Sequence, residues 1–274
     1  MINELAPAKI NLALHVRRRR PDGYHDLETL FAFCADGDIV SVEQADRDSF
    51  VVTGPFADAL AGEGDNLVLR AGRAFGDAFR IEAAHAITLD KHLPIASGIG
   101  GGSADAAATL RAMAGLHGVA LDDPRLAALA GGLGADVPAC LCGRAALGTG
   151  RGDALMALEG LAGTPVLLVN PRVAVSTAAV FARWDGIDRG PIGDGALLDR
   201  ARDSRNDLEE PARILAPVID EVRALLGAAP GALLSRMSGS GATCFALFDT
   251  IVARDDAAMQ AEARGWWSLA TTLT

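Results

Sequence analysis

The chain begins with a segment in which apolar and polar positions alternate. Residues 8–16, AKINLALHV, place four apolar side chains on one face of an extended strand: Ile10, Leu12, Leu14 and Val16. Lys9, Asn11 and His15 fall on the opposite face. This pattern predicts a half-buried strand with one polar face.

A turn and a second strand follow directly. Residues 17–23, RRRRPDG, contain a Pro-Asp-Gly turn, and residues 24–33, YHDLETLFAF, have the composition of a returning strand. Together these stretches predict a β-hairpin over residues 8–33.

The rest of the chain predicts a mixture of short strands and helices. Strands are expected at 38–43, 49–53, 85–90 and 164–171. Helices are expected from Asn66 to about Phe79, from Ser103 to about Leu116, and after Asp122-Asp123-Pro124, where Asp and Pro suit the start of a helix. Residues 131–143 contain glycines and a proline that break regular structure. The boundary between two domains is predicted near residues 150–163, which gives domains 1–155 and 156–274.

Two glycine-rich loops stand out from this pattern. Residues 94–107, PIASGIGGGSADAA, lead into a predicted helix, whereas residues 235–248, SRMSGSGATCFALF, lead into a predicted strand. The first loop is either a flexible turn capped by Ser103 or an anion cradle, because glycines let several N–H groups converge and a helix adds its positive end. Two such loops far apart in the chain suggest one shared site.

Composition and charge narrow the class of protein. Half of the 274 residues are hydrophobic and 22% are charged, which is typical of a globular chain. The net charge of −10 argues against a surface that holds nucleic acid or anionic lipid. The first 16 residues do not resemble a signal peptide, and no apolar run approaches the roughly 20 residues of a membrane span. We therefore expect a cytoplasmic protein without nucleic-acid or membrane partners.

The cysteines do not indicate a metal site. Cys34, Cys140, Cys142 and Cys244 form no paired clusters with zinc-like spacing, so buried reduced thiols are expected.

Several common motifs are absent from the sequence. The chain has two lysines, Lys9 and Lys91, and neither completes a Walker-type phosphate loop. Ser103 stands where a dinucleotide-binding fingerprint beginning at Gly98 would need its third glycine. The hydrolase pattern GxSxG, the metalloprotease pattern HExxH and the protein-kinase patterns HRD and DFG are also missing.

The remaining pattern, Pro-x3-Gly-x-Gly-Gly-Gly-Ser before a helix, resembles the phosphate loop of the GHMP small-molecule kinases. Ile99 stands where leucine is commoner in that family. Residues 6–16, 22–31 and 134–153 and the stretch SGSGATCFALF extend the resemblance over nearly the whole chain. They are similar to the members of the family whose substrate is a methylerythritol linked to cytidine diphosphate.

The resemblance implies an α+β fold of two domains. An amino-terminal ATP-binding half would be of the ribosomal-protein-S5-like type, and a carboxy-terminal half would be ferredoxin-like, with substrate between them. ATP would be the phosphoryl donor and Mg²⁺ the cofactor, without an assigned protein ligand for the metal. The γ-phosphoryl group would pass directly to an alcohol, so catalysis would rest on alignment and electrostatics.

The resemblance also implies two catalytic residues. Asp136, in GADVP, would accept the proton of the substrate hydroxyl, and Lys9 would keep it ionised and stabilise charge at the attacking oxygen. The alternative for Asp136 is a turn or helix cap, and for Lys9 an ordinary charge at a strand edge. Asn11 shares the face of Lys9 and would contact the substrate.

The ATP site would be built mainly from the first glycine loop. Its predicted members are Pro94, Ser97, Gly98, Gly100, Gly101, Gly102 and Ser103, together with Asn66. Asp105 complicates this site, because a carboxylate near the start of the helix would repel phosphate. It is expected to be a helix cap or an indirect partner of magnesium.

A cytosine pocket is the last expectation from the resemblance. Tyr24 and His25 would lie against the base, with Phe181 as the opposite wall and Thr177 nearby; Phe181 could instead be a core aromatic residue.

Two alternative functions stay open. One is another GHMP kinase that acts on a small alcohol such as homoserine or mevalonate, which cytidine dependence would distinguish. The other is a catalytically silent nucleotide-binding regulator, which a phosphorylation assay would distinguish.

Overall fold

The computed structural model describes residues 1–60 and 66–274, which fold into two compact units. The first unit comprises residues 1–8, 36–95 and 100–143, and the second comprises residues 9–35, 96–99 and 144–274. Both units are discontinuous along the chain. The division into 1–155 and 156–274 is a single cut and stays a prediction.

The predicted hairpin is confirmed, and its strands are longer than expected. Strand β1 (Ile2–Arg19) pairs with β2 (His25–Ala45). The turn is closed by Arg20 N–H, which donates to the Tyr24 carbonyl over 2.8 Å, and Gly23 takes a φ of +86°. The expectation that the strand is half-buried is wrong, because the three residues of its polar face are buried too, with exposed fractions of 1–3%: Lys9, Asn11 and His15.

Among its described residues, the first unit combines a small sheet with four α-helices and one 3₁₀ helix. Its elements are β3 (Ser49–Thr53), a 3₁₀ helix (Ala57–Leu60), α1 (Leu67–Phe79), β4 (Ala84–Asp90), α2 (Gly101–His117), α3 (Pro124–Leu133) and α4 (Val137–Cys142). Strand β4 is parallel to β3 and antiparallel to residues 39–45 of β2. The strand expected at 38–43 is therefore part of β2. Helix α4 was not expected, because its glycine and proline neighbours favour irregular structure.

Helix α2 forms the centre of the first unit. It is buried from Ala104 to Ala114, apart from Arg111, and packs against α1, α3 and α4. Alanine allows neighbouring helices to approach closely, and a helix that is apolar on most sides belongs in a core. The amino terminus of α2 is thereby held in place by its surroundings.

The second unit contains a four-stranded antiparallel sheet and five helices among its described residues. Its elements are β5 (Ala146–Gly150), β6 (Ala154–Ala157), β7 (Pro165–Asn170), α5 (Thr177–Ala182), α6 (Leu197–Arg202), α7 (Glu209–Leu215), α8 (Val218–Ala228), β8 (Ala232–Met237), β9 (Cys244–Phe248), α9 (Ile251–Glu262) and β10 (Trp267–Thr272). Strand β5 pairs with residues 27–31 of β2 and with β6.

The four-stranded sheet confirms the ferredoxin-like expectation. Its strand order is β10-β7-β9-β8, and helices α8 and α9 pack against it, so these elements follow one another as β-α-β-β-α-β. Strand β7 is interior, as its continuous apolar run predicts, with Leu167 and Val169 in a core shared with Ile219, Val222 and Phe248. The α+β class is confirmed.

Burial tests the expectation about the thiols, and helix length bears on membrane spans. Cys34, Cys140 and Cys244 are buried, but Cys142 is exposed at the end of α4, so the expectation of four buried thiols is wrong there. Over residues 1–60 and 66–274, no helix is long and apolar enough to cross a membrane.

Candidate active site

A chain of buried hydrogen bonds fixes the side chain of Lys9 in the second unit. Lys9 Nζ donates to Asn11 Oδ1 over 2.9 Å, and Asn11 Nδ2 donates to Thr29 Oγ1 over 2.7 Å. The Thr29 hydroxyl in turn donates to the Ala13 carbonyl over 2.7 Å. Because each amide atom of Asn11 has a partner, its orientation holds the ammonium in one place. Lys9 is therefore not an ordinary charge at a strand edge.

The backbone of Asn11 joins the residues of both glycine loops that lie in this unit. Asn11 N–H donates to Ser238 Oγ over 3.1 Å, and the Ser238 hydroxyl donates to the Gly98 carbonyl over 2.9 Å. Thr243 N–H donates to the Ser97 carbonyl over 3.1 Å. The two loops therefore contact each other at residues 97–98 and 238–243, and that they line one shared site stays a prediction.

Close backbone packing explains the glycine at position 98. Gly98 has a φ of +78°, and a Cβ there would lie 2.6 Å from the Ser238 carbonyl oxygen. Ala96 and Gly100 also have positive φ, of 50° and 68°. Alternating backbone of this kind turns N–H groups inward and is found in anion-binding loops.

A residue that the sequence analysis missed fixes the second glycine loop. Asn206 Nδ2 donates to the carbonyls of Met237 and Gly239, each over 2.8 Å, and Asn206 Oδ1 accepts from Leu208 N–H. One buried amide thus holds both sides of the turn. Asn206 lies outside the glycine-rich stretches, so its sequence context gave no signal.

In the first unit, α2 begins with glycines. Gly100 is its N-cap residue, and Gly101, Gly102 and Ser103 form its first turn. Ser103 lies inside the helix, so the alternative of a flexible turn capped by Ser103 is wrong. Among the described residues, no side chain caps α2, and the N–H groups of a first helical turn have no partners within the helix. This amino terminus can therefore receive an anion.

A buried ion cluster lies beside this turn. Lys91 Nζ donates to Asp38 Oδ2 over 2.5 Å and to Asp105 Oδ2 over 2.7 Å. A Cβ added at Gly101 would lie 3.1 Å from Lys91 Nζ. Asp105 binds Lys91 rather than the first turn, so its expected role as a cap is wrong. Lys91 and Asp38 were missed, although Lys91 is one of two lysines.

Asp136 occupies the N-cap position of α4 and is half-buried. Its carbonyl accepts from Cys140 N–H over 3.0 Å. As far as the described residues show, its carboxylate makes no capping hydrogen bond to α4. The alternative of a side-chain cap is therefore wrong, whereas the position of Asp136 in the turn before α4 agrees with the other half of that alternative.

The other predicted ATP-site residues have clear local positions. Asn66 is the buried N-cap of α1, and its Oδ1 accepts from Val68 N–H over 2.8 Å. Pro94 and Ser97 are both buried. The side-chain oxygen of Asn66 therefore caps α1, whereas the prediction placed this residue only at the nucleotide.

The His25 ring stacks directly on Phe181 in the second unit. Their ring centroids are 4.8 Å apart, and the edge of Trp184 lies 5.7 Å from His25. A gap of 4.8 Å is the contact of two neighbouring rings and leaves no space for a third ring between them. Burial and the nearby Arg19 lower the pKa of His25, so the ring is neutral at pH 7.

Tyr24 and Thr177 differ in their surroundings. Tyr24 is 54% exposed, and the Arg151 guanidinium lies 5.3 Å from its ring centroid. Thr177, the first residue of α5, shares a hydrogen bond of 2.9 Å between its hydroxyl and that of Ser240 in the second glycine loop. Tyr24 thus presents an open aromatic face, and Thr177 connects α5 to the loop.

Within residues 1–60 and 66–274, no group of three or more His, Cys, Asp and Glu side chains is arranged to hold a metal ion.

Comparison with known protein families identifies both halves of the chain. Residues 66–144 match the GHMP kinase N-terminal domain, and residues 187–265 match the GHMP kinase C-terminal domain. The chain belongs to the GHMP kinase family. The enzyme is accordingly an ATP-dependent kinase.

Individual relatives cover nearly the whole kinase. The chain is 56% identical to the 4-diphosphocytidyl-2-C-methyl-D-erythritol kinase of Rhizorhabdus wittichii, covering 98% of this chain and 94% of the relative. It is 50% identical to the kinase of the same name from Sphingopyxis alaskensis, covering 99% and 98%.

Solved structures agree with these relatives. The kinase is similar to a crystal structure of 4-(cytidine 5'-diphospho)-2C-methyl-D-erythritol kinase, with 36% identity, 99% coverage of both chains and a TM-score of 0.82. A homoserine kinase from Cytophaga hutchinsonii has a TM-score of 0.72 but 21% identity, with 100% of this chain and 94% of that chain covered. The second likeness shows the shared fold.

Proposed function

We propose that this kinase transfers the γ-phosphoryl group of ATP to the 2-hydroxyl of 4-diphosphocytidyl-2-C-methyl-D-erythritol, a step in non-mevalonate synthesis of isoprenoid precursors. The observation that carries this proposal is the 56% identity, over 98% of the chain, to a relative of that name. We further propose that it acts in the cytoplasm on small molecules and does not bind nucleic acid.

Asp136 is proposed as the general base. Its carboxylate is half-buried and is not engaged in capping α4, as judged from the described residues. A carboxylate near the acceptor hydroxyl takes the proton as the bond to phosphorus forms. The proton on the acceptor oxygen moves to Asp136. The γ-phosphorus forms a bond to that oxygen and loses its bond to the β–γ bridging oxygen, so ADP leaves.

Lys9 is proposed to stabilise negative charge during transfer. The hydrogen bond that Lys9 donates to Asn11 fixes the ammonium before substrate binds, so little reorganisation is needed during the reaction. Asn11 would contact the substrate and hold Lys9 at the same time. A guanidinium is wider than an ammonium and would not take the same position.

The amino terminus of α2 is proposed to bind the ATP phosphates. Its uncapped N–H groups and positive dipole end favour anions, and the residues of the first turn are small. Pro94, Ser97, Gly98 and Asn66 would shape the rest of the site. Mg²⁺ is proposed as the cofactor that accompanies ATP, and it would supply positive charge to the phosphates.

Tyr24 and His25 are proposed to recognise cytosine. The exposed ring of Tyr24 offers a stacking face, and a neutral imidazole carries one donor and one acceptor nitrogen that can pair with the base edge. Phe181 would fix the plane of the His25 ring through their stack. Thr177 would contact the substrate from α5.

Release of ADP by the purified enzyme tests the proposed substrate. The enzyme is incubated with ATP, Mg²⁺ and, separately, the cytidine diphosphate alcohol, homoserine and mevalonate. We expect acceptor-dependent ADP release with the first compound, with a kcat/KM at least about 10³-fold above the other two. Faster turnover of homoserine or mevalonate would assign the enzyme to a small-alcohol kinase, and no turnover of any acceptor would favour a silent regulator.

Gly102→Ala tests the phosphate loop. A Cβ at Gly102 would meet Leu67 Cδ1 at 3.6 Å, an ordinary contact, and alanine favours a helix, so stability should not fall. If phosphate approaches the backbone here, the methyl group should weaken ATP binding about tenfold, or about 1.4 kcal/mol, measured by calorimetry. Gly101→Val should act more strongly, because it also crowds Lys91.

Gly115→Ala is the matched control on the same helix. Its Cβ would meet Ile2 Cγ2 at 3.7 Å, far along the helix from the first turn. It should leave ATP affinity unchanged. Equal ATP affinity in the Gly102→Ala and Gly115→Ala enzymes would remove the first turn of α2 from the phosphate site.

Tyr24→Ala and His25→Ala separate stacking from base recognition. Stacking contributes about 1–3 kcal/mol per base, so Tyr24→Ala should lower kcat/KM about 5- to 150-fold for the cytidine and uridine substrates alike. His25→Ala should instead reduce the preference for cytosine over uracil. Tyr24→Phe keeps the ring and should retain activity. An unchanged base preference in His25→Ala would place cytosine recognition elsewhere.

A further inference from the structure

The cluster of Lys91, Asp38 and Asp105 holds two carboxylates and one ammonium out of water. Lys91 and Asp105 are each 3% exposed, and Asp38 is fully buried. Charges in such surroundings must be matched by partners, because the protein interior solvates them poorly. The cluster has one carboxylate more than it has cations.

Asp38 accepts more hydrogen bonds than Asp105 does. It accepts from Lys91 Nζ, from His92 N–H over 2.6 Å and from Leu93 N–H over 2.8 Å. Three donors stabilise an ionised carboxylate. Asp38 therefore carries the charge that balances Lys91.

Asp105 is left with fewer partners. One of its oxygens accepts from Lys91, and the other, Oδ1, has no hydrogen-bond partner among the described residues. Burial, opposed by Lys91 and assisted by Asp38, raises the pKa of Asp105 to about 7. Burial alone would lower the pKa of Lys91, but the two carboxylates outweigh it, so Lys91 remains an ammonium.

The helices packed against α2 do not add another charge beside Asp105. Arg70, Arg73 and Asp77 on α1 and Arg125 on α3 are exposed. Asp136, at the start of α4, is half-buried, and the pKa of Asp105 responds to burial, Lys91 and Asp38. The charge of the cluster therefore changes with one proton, from neutral to −1.

We propose that protonation of Asp105 sets the affinity for ATP, because the buried cluster lies beside the helical turn that receives the phosphates. This inference rests on the proposed phosphate site at α2. Lys91 Nζ lies within 3.1 Å of the Cβ position of Gly101, and Asp105 follows the first turn directly. Asp105 and Lys91 act through the charge at this turn and are positioning residues rather than catalytic ones.

The direction of the effect follows from the charges. Below pH 7 Asp105 holds its proton and the cluster is neutral, so the positive end of α2 attracts the phosphates. Above pH 7 the proton passes to solvent, the cluster becomes negative and ATP binds more weakly. By reciprocal linkage, binding of ATP raises the pKa of Asp105 further and takes up a proton.

Direct ATP binding to the whole enzyme between pH 6 and pH 8.5 tests the proposal. Asp105→Asn keeps the shape of the side chain and fixes its charge at zero. We expect it to equal the wild type at pH 6 and to bind ATP about tenfold more tightly at pH 8.5, within the range of known couplings between sites. Structural damage by the substitution would weaken ATP binding at both pH values. A gain of affinity at pH 8.5 therefore distinguishes loss of the charge from structural damage.

Asp77→Asn is the matched control, because it removes one exposed negative charge from the same unit. It should follow the wild type at every pH. Titration of the ATP phosphates is common to all three proteins and cancels in the ratios. A ratio of wild-type to Asp105→Asn affinity that stays constant with pH would overturn the proposal. Because calorimetry measures ATP binding without acceptor, its result does not depend on which acceptor is assigned to the enzyme. Unaltered ATP binding by Gly102→Ala would show instead that the phosphate site itself is misplaced.

Discussion

Asp136→Asn should lower kcat by about 10²- to 10⁴-fold, the range lost when a general base is removed. Asparagine has nearly the same shape but cannot accept the proton of the acceptor hydroxyl. KM for ATP should change little, because the substitution acts on the chemical step rather than on nucleotide binding. The measurement is steady-state kinetics with saturating acceptor.

The fold should tolerate this change. Capping of α4 does not depend on the Asp136 carboxylate within the described structure, so the thermal midpoint should stay near that of the wild type. Asp122→Asn, an exposed change just before α3, is the control for loss of one negative charge. If Asp136→Asn turned over as fast as Asp122→Asn, the base would have to be another group.

Lys9→Arg and Lys9→Gln should both lose most activity, by about 10²- to 10³-fold in kcat, as when a preorganised electrostatic contact is removed. Arginine keeps the charge, but its wider head group cannot occupy the same buried position beside Asn11. Glutamine removes the charge and can still bond to Asn11. The measurement is kcat together with the thermal midpoint of each variant.

Thr29→Val separates the position of Lys9 from its charge. It removes the bond that Asn11 donates to Thr29 and so loosens the position of Lys9 while the ammonium itself is kept. The loss of kcat should therefore be smaller than in either Lys9 variant. Wild-type kcat in Lys9→Gln would show that the ammonium takes no part in the reaction. Wild-type kcat in Lys9→Arg alone would show that charge suffices.

Local signals predicted much of the fold. Asn66 at the start of α1, and Asp123 with Pro124 at the start of α3, are strong helix signals because their side chains satisfy or replace backbone donors. The alternation over residues 8–16 predicted the strand but not its burial. His15 is covered by contacts with Gly190 and Arg205, which are distant in sequence, so period-two alternation cannot reveal that cover.

The site shows the same limit. Both glycine loops were found from composition, because close backbone packing restricts residue type. The cluster around Lys91 was missed, since its partners lie 53 and 14 residues away along the chain and an isolated lysine or aspartate predicts a solvated charge. The direct stack of His25 on Phe181 depends on the path of α5, a helix that no local pattern predicted.

Phosphorus-31 NMR of the reaction product tests the proposed acceptor most directly. The cytidine diphosphate alcohol contributes two diphosphate signals, and transfer from ATP should add a third, phosphomonoester signal on the methylerythritol carbon chain, with one equivalent of ADP. The position of the new ester is read from its coupling and from the shift of the neighbouring carbon-13 signals, and we predict the 2-position. ADP formed together with free inorganic phosphate, or a phosphomonoester on homoserine or mevalonate in an equimolar mixture of the three acceptors, would contradict the account.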